Sequence, residues 1–182
     1  MDAIELLLTR QSDPRLIAPA PNNSQLEIIK QAALRVPDHG ALAPWQFIVV
    51  AGDARERLGE IYYQSAVAEQ QDEKVINRAK ELPLRAPMII IAIAKYQAHP
   101  KVPRIEQVQS AGCAVLAMQQ AAFAQGLGGV WRTGYFAQSE GVKASLNLNT
   151  DDEIVGYLYL GTPELECKKS VRHQPERFFS NL

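Results

Sequence analysis

Cysteine is scarce in this chain. There are two, Cys113 and Cys167, in unrelated contexts, and neither belongs to a CxxC pair or to a Cys/His spacing that would hold zinc. Such usage fits a reduced, cytoplasmic setting and argues against a disulfide-stapled fold. Excess charge is missing too: 19 Lys and Arg against 20 Asp and Glu leave a formal −1, which supplies no electrostatic case for nucleic acid or an anionic membrane. Long apolar runs are absent. The longest, within residues 111–124, is interrupted by Gln119 and Gln120, so no transmembrane helix is expected. The opening MDAIELLLTR is acidic first and lacks the basic region of a signal peptide. His39, His99 and His173 share no ligand spacing, so no metal is expected. No G-x-S-x-G elbow and no phosphate-cradling G-x-x-x-x-G-K-[ST] loop occurs. Gly126-Leu127-Gly128-Gly129 follows a helical pattern, whereas a dinucleotide fingerprint precedes one, and the carboxyl end of a helix is electrostatically wrong for a pyrophosphate.

What is present is a globular composition, 47% hydrophobic over 182 residues, enough for one domain with a sizeable core. The chain is organised around residues 103–134. Pro103 suits the first position of a helix and Gly126 the residue just past its end, so the helix between them spans about 35 Å. Its apolar positions keep to no single stripe, which predicts burial on most sides, with Cys113 as a small buried hydrophobe. Trp45–Ala51, Met88–Ala94 and Glu153–Leu160 read as strands, and Gly129–Arg132 as a short extended piece. Helices are expected over Asp2–Thr9, from a Ser24–Glu27 capping box to Pro37, over Ala54–Ala68, within the charged stretch 69–81, and from Ser139 to about Leu146. Residues 16–23, with Pro19 and Pro21, are expected to be extended. Separated strands among runs of helix give an α+β plan, a central sheet with helices on its faces.

Chemistry-bearing residues are sparse. Ser110 and Ser139 lie on helical segments, and a Cys113–His39 nucleophile pair would require the helix to expose its thiol. There remain Arg10 and Ser12 after the first helix, Arg35 and His39 around a helix end and loop, and Arg132 and Thr133 after the short strand. Two arginines with hydroxyls suffice to hold a phosphate monoester. Each residue also has an ordinary reading: Arg10 and Arg35 as cations serving helix dipoles, Trp131 as core.

Taken together, four segments resemble the FMN-dependent nitroreductases. Arg10-Gln11-Ser12 is similar to their Arg-x-Ser opening. Residues 37–47, from Pro37 to Phe47, resemble their segment leading to Pro-Trp-x-Phe. Residues 126–132 resemble their Gly-x-Gly segment after the central helix, and residues 156–163 their last strand and Gly-x-Pro turn. The order and spacing agree from residue 1 to about 163, and the compact length resembles the short bacterial NAD(P)H nitroreductase branch. Asp38-His39 stands where the family has a Ser pair, and Ala43 precedes Pro44-Trp45 in place of Gln, which bears on substrate range more than on the cofactor.

The resemblance implies one nitroreductase-like domain over 1–182, a central antiparallel sheet flanked by helices, and an intertwined homodimer whose residues 164–182 form an arm to the partner. It implies FMN at the interface, touched by Arg10, Gln11, Ser12, Trp131, Arg132 and Thr133 of one subunit and by Arg35 and His39 of the other. Arg10 and Arg132 match its phosphate positions. NAD(P)H would be the co-substrate and an electron-poor small molecule, such as a nitroaromatic or quinone, the acceptor, in a ping-pong cycle through flavin N5. Hydride transfer needs no side-chain base, so no catalytic residue is assigned. The rivals are another flavin chemistry on the same scaffold, or a flavin-binding or redox-sensing protein with little turnover.

Overall fold

The computed structural model describes residues 1–165 and 173–182. β2 (Trp45–Ala51) and β3 (Met88–Ala94) form from seven-residue runs rich in Ile and Val, which suit a pleated, packed surface. β5 (Glu153–Pro163) pairs antiparallel with β3, with a bulge opposite Ala92 and Ile93. Along its other edge β5 takes β4 (Gly128–Arg132) and the two-residue β1 (Leu16–Ile17). The sheet runs β1–β5–β3–β2, with β4 beside β1 on β5, and every pair is antiparallel. β1 falls in the segment expected to be extended.

Strand alternation sends Ile89, Ile91, Ile93, Tyr157 and Tyr159 to one face, and Met88, Ile90, Ala92, Leu158 and Leu160 to the other. α3 (Ala54–Ala68), α4 (Glu73–Ala79), α6 (Tyr135–Gln138) and α7 (Glu140–Ser145) cover the first face. α2 (Asn23–Ala33) and α5 (Arg104–Ala124) cover the second. α1 (Ala3–Thr9) lies against α5 and buries none of its residues. Among the described residues no helix is long and apolar enough to cross a membrane.

Several local expectations shift. The capping box of α2 is Asn22 with Gln25: the Asn22 side chain accepts from Gln25 N at 2.9 Å, and Gln25 Oε1 accepts from Asn22 N at 3.0 Å. Ser24, expected to be the cap, donates instead to the Asn22 side chain at 2.7 Å. Pro103 sits one position earlier than expected, in the extended conformation (φ −67°, ψ 157°) that precedes α5. Gly126 does end the helix region in the left-handed conformation, at φ +77°. Burial on most sides does not hold for α5. Ile105, Cys113 and Leu116 are exposed along one side of it, because neither the sheet nor α2 reaches that side. Of the expected arm, residues 166–172, Cys167 among them, lie outside the described part. Beyond them Pro175–Arg177 forms one helical turn, and Phe178, Phe179 and Leu182 are exposed.

Candidate functional site

The segment after α1 is tied into the sheet by a buried amide. Asp13 N donates to Gly129 O at 3.0 Å, and Gln119 Nε2 of α5 donates to the same oxygen at 2.8 Å and to Ser12 Oγ at 3.2 Å. Residues 10–13 are therefore held against the start of β4. The backbone approach is close: a Cβ at Gly128 would fall 2.6 Å from Leu16. The Asp13 carboxyl is buried, which raises its pKa, while a Gly129 backbone hydrogen bond and the Arg10 charge oppose the rise. Arg10 has no carboxylate within 4.0 Å among the described residues.

β4 divides its residues between the two faces. Trp131 pairs with Leu158 and its ring reaches Gly112 of α5, so it stands on the α5 side. Its Nε1 donates to Val155 O at 3.0 Å, and the indole lies where a Cβ at Gly156 would be, a residue at φ +151°. Only glycine fits there. Arg132 pairs with Tyr157 and its guanidinium lies over the Tyr159 ring, 5.8 Å from the centroid, on the α3 side. The pleat thus separates the two: Ser12, Gln119 and Trp131 share one face, and the Arg132 side chain takes the other. What Arg132 offers to the α5 side is main chain, in a strand that pairs with β5 alone among the described residues.

Arg35 and His39 lie elsewhere, in the turn between α2 and β2. Arg35 is exposed. His39 Nδ1 donates to Glu106 Oε2 at 2.7 Å, which leaves Nε2 outward. Asp38, in the place of the family's Ser pair, turns into its own loop and accepts from Leu42 N at 3.1 Å and Ala43 N at 2.8 Å. Those bonds hold a strained backbone, with Ala41 and Ala43 at φ +53° and +47°. Ser110 Oγ donates to Pro37 O at 2.7 Å and fixes the loop to α5. Within one chain, then, Arg10, Gln11, Ser12 and the 131–133 main chain converge, and Arg35 and His39 do not join them. His39 is anchored at Glu106 and Ser12 at Gln119, thirteen residues along α5 and about 20 Å away at 1.5 Å per residue.

Gln119 and Glu106 carry the anchoring, and both escaped the sequence reading, which took Gln119 only as a break in an apolar run. An amide among Ala and Met on a buried helix is itself the missed signal, since buried polar groups require partners.

The Nitroreductase family model matches residues 10–162. An Escherichia coli K12 protein named "Putative NAD(P)H nitroreductase YdjA" is 48% identical over 171 residues, covering 94% of this chain and 93% of the relative. The crystal structure of a nitroreductase-like family protein from Bacillus cereus superposes with a TM-score of 0.86 at 20% identity, covering 100% of this chain and 96% of the other. A Bacteroides fragilis nitroreductase with bound FMN gives 0.75 at 17% identity, with both chains covered in full. The antiparallel sheet with its long α5, the tethering of residues 10–13 to β4 and the match across residues 10–162 lead to one assignment: the chain belongs to the nitroreductase family.

Proposed function

We propose that this chain is an FMN-dependent oxidoreductase that takes electrons from NAD(P)H and delivers them to electron-poor acceptors such as nitroaromatics or quinones, working as an intertwined homodimer. One observation carries the reading. The two groups of candidate residues are tethered about 20 Å apart at opposite ends of a helix whose outer side is uncovered. The midpoint between Glu106 and Gln119 falls at Gly112 and Cys113. An antiparallel pairing of α5 with a second copy, about a two-fold axis there, brings the His39 end of one chain to the partner subunit's Ser12.

The residues fit the cofactor named in the neighbour's structure. Arg10, free of carboxylates among the described residues, and the Ser12 hydroxyl suit a phosphate monoester. Gln11, the main chain of Arg132, Thr133 and the Trp131 ring would border the ribityl and ring, with Arg35 and His39 reaching in from the other subunit. FMN held by these residues would supply the hydride-accepting chemistry that links NAD(P)H to the acceptor. Arg10 or Arg35 would supply positive charge beside a ring that gains electrons. His39, oriented by Glu106 through Nδ1, would present Nε2–H as a proton donor to product in its imidazolium form.

The arm reading belongs here too. We take residues 1–182 as one domain whose residues 164–182 embrace the partner. A groove of about 420 Å³ beside edge strand β2, lined by Leu34, Trp45, Phe47, Val49 and Met118, is a suitable seat for the exposed Phe178 and Phe179.

Stopped-flow spectroscopy tests the reading. The purified protein should be yellow, lose its flavin absorbance on mixing with NAD(P)H, and regain it with nitrofurazone. A flavin that stays oxidised under excess NAD(P)H would sink the reductase reading, and a well-behaved monomer with bound FMN would sink the shared site.

A further inference from the structure

One buried polar group on α5 does more than tether the chain. Gln119 is 3% exposed, on a helix whose Val115, Met118 and Ala122 are also buried. Its amide makes two bonds, 2.8 Å to Gly129 O and 3.2 Å to Ser12 Oγ. A carbonyl oxygen only accepts, so the atom facing Gly129 is the amide nitrogen, and the partner fixes which way the amide points. Gly129 O also takes the Asp13 N–H at 3.0 Å, which fills both of its lone pairs. Bare backbone permits this close approach: a Cβ at Gly129 would stand 3.3 Å from Leu160 and 3.4 Å from Gln119 Cγ.

The second amide hydrogen decides what Ser12 can do. A hydroxyl carries one hydrogen and two lone pairs, and Gln119 occupies a lone pair. The Ser12 hydrogen is therefore directed away from the amide. Ser12 is exposed, on the segment that carries the half-buried Arg10. An unconstrained serine would serve equally as donor or acceptor, whereas this one is set as a donor. A phosphate monoester near neutral pH offers strong acceptor oxygens, so a donor is what it requires. A neutral terminal hydroxyl can take either role and gains little from that setting.

We propose that Gln119 is a positioning residue: by donating to Ser12 it fixes the Ser12 hydroxyl as a hydrogen-bond donor, and so sets a preference for FMN over riboflavin, the same flavin without its phosphate. The inference rests on the flavin reading above, and it gives a buried residue of α5 a share in choosing the cofactor. Arg10 attracts a phosphate by charge whichever way its neighbours point. The Ser12 donor adds a directed, charge-assisted bond. Gln119 acts only through Ser12, so the effects of removing the two should not add.

Competitive loading tests this. The full-length protein and each variant are dialysed to equilibrium against equal concentrations of FMN and riboflavin, and the bound flavins are separated by chromatography and quantified. Wild type should hold FMN in preference to riboflavin. Ser12→Ala should lower the bound FMN-to-riboflavin ratio by roughly tenfold or more, the loss of one bond to a charged group. Gln119→Met, apolar and of similar length, should lower it severalfold, and the double variant should fall no further than Ser12→Ala alone. A residue that only packs α5 would reduce both flavins alike and leave the ratio unchanged. If Gln119→Met does not fold, Gln119→Asn takes its place: one methylene shorter, it cannot span Gly129 O and Ser12, and the ratio should fall likewise. A ratio that the Gln119 variant leaves unchanged overturns the inference, as does a double variant whose losses multiply. A wild-type protein that takes up neither flavin sinks the flavin reading as well, whereas flavin uptake with an unmoved ratio sinks this inference alone.

Discussion

The two faces of the sheet are finished to different degrees. On the α3 side Tyr62 stacks on Phe136 and meets Tyr157 edge-on at 5.6 Å, and Glu69 ties α3 to α6 and α7 through Tyr135, Ser139 Oγ and Gly141 N. On the α5 side a comparable apolar layer lies under α2 and α5, but Ile105, Leu116 and the α1 residues Ile4, Leu7 and Leu8 face outward. One face is closed by buried aromatics, while the other leaves apolar side chains of α1 and α5 outward. Exposed apolar side chains along α5 and α1 suit an interaction face.

The contrast is broken most directly at Tyr62. Truncating it to Ala removes the centre of the closed face and should cost about 3–5 kcal/mol in urea unfolding, while a chain destabilised by less than about 1 kcal/mol would mean that this face is less packed than it looks. Leu116→Glu on the open face should act oppositely. The protomer should stay within about 0.5 kcal/mol in stability. If α5 is the seam, association of two copies, followed by sedimentation, should weaken by roughly tenfold or more. If both copies still associate as wild type, α5 is not the seam.

Glu69→Gln should cost about 1–3 kcal/mol, because buried donors lose a charged acceptor. Burial alone would raise the Glu69 pKa, but hydrogen bonds from Tyr135, Gly141 and Ser139 bring it below the ordinary glutamate value. With the folded value depressed, the carboxylate's contribution is present above the ordinary value and lost as pH falls through the folded one. The wild-type stability should therefore decline on that acid limb, and Glu69→Gln should flatten it. The alkaline limb is a smaller effect of the opposite sign. Burial, then the Glu69 bond, raises Tyr135 from 10.0 to about 12, so its contribution is complete below pH 10 and lost between there and about 12. Tyr135→Phe should reduce that alkaline loss.

Much of the fold was legible because its signals are local. The strand runs at Trp45–Ala51 and Met88–Ala94 and the helix Ala54–Ala68 stand where apolar patterning puts them. The cap of α2 was misplaced by two residues because Asn22 and Ser24 are both good caps, and only the backbone path into the helix chooses between them. The candidate site was legible as residue types, with Arg10, Ser12 and the residues after the Gly-rich turn. It was not legible as an arrangement. Trp131 and Arg132 are adjacent in sequence and opposite in space, which follows only once β4 is seen to pair with β5.

By itself the sequence determined most of the elements, their order, the near balance of charge, and the resemblance that led to the family. Each of these depends on neighbours within a few residues or on patterns carried along the chain. The tertiary structure alone decided that α5 keeps one side bare with Cys113 exposed, that Gln119 holds Ser12 to Gly129, and that Arg132 turns towards Arg85 and Tyr159. Those outcomes depend on which face of each element meets the sheet, a relation between residues far apart in sequence that no local pattern encodes.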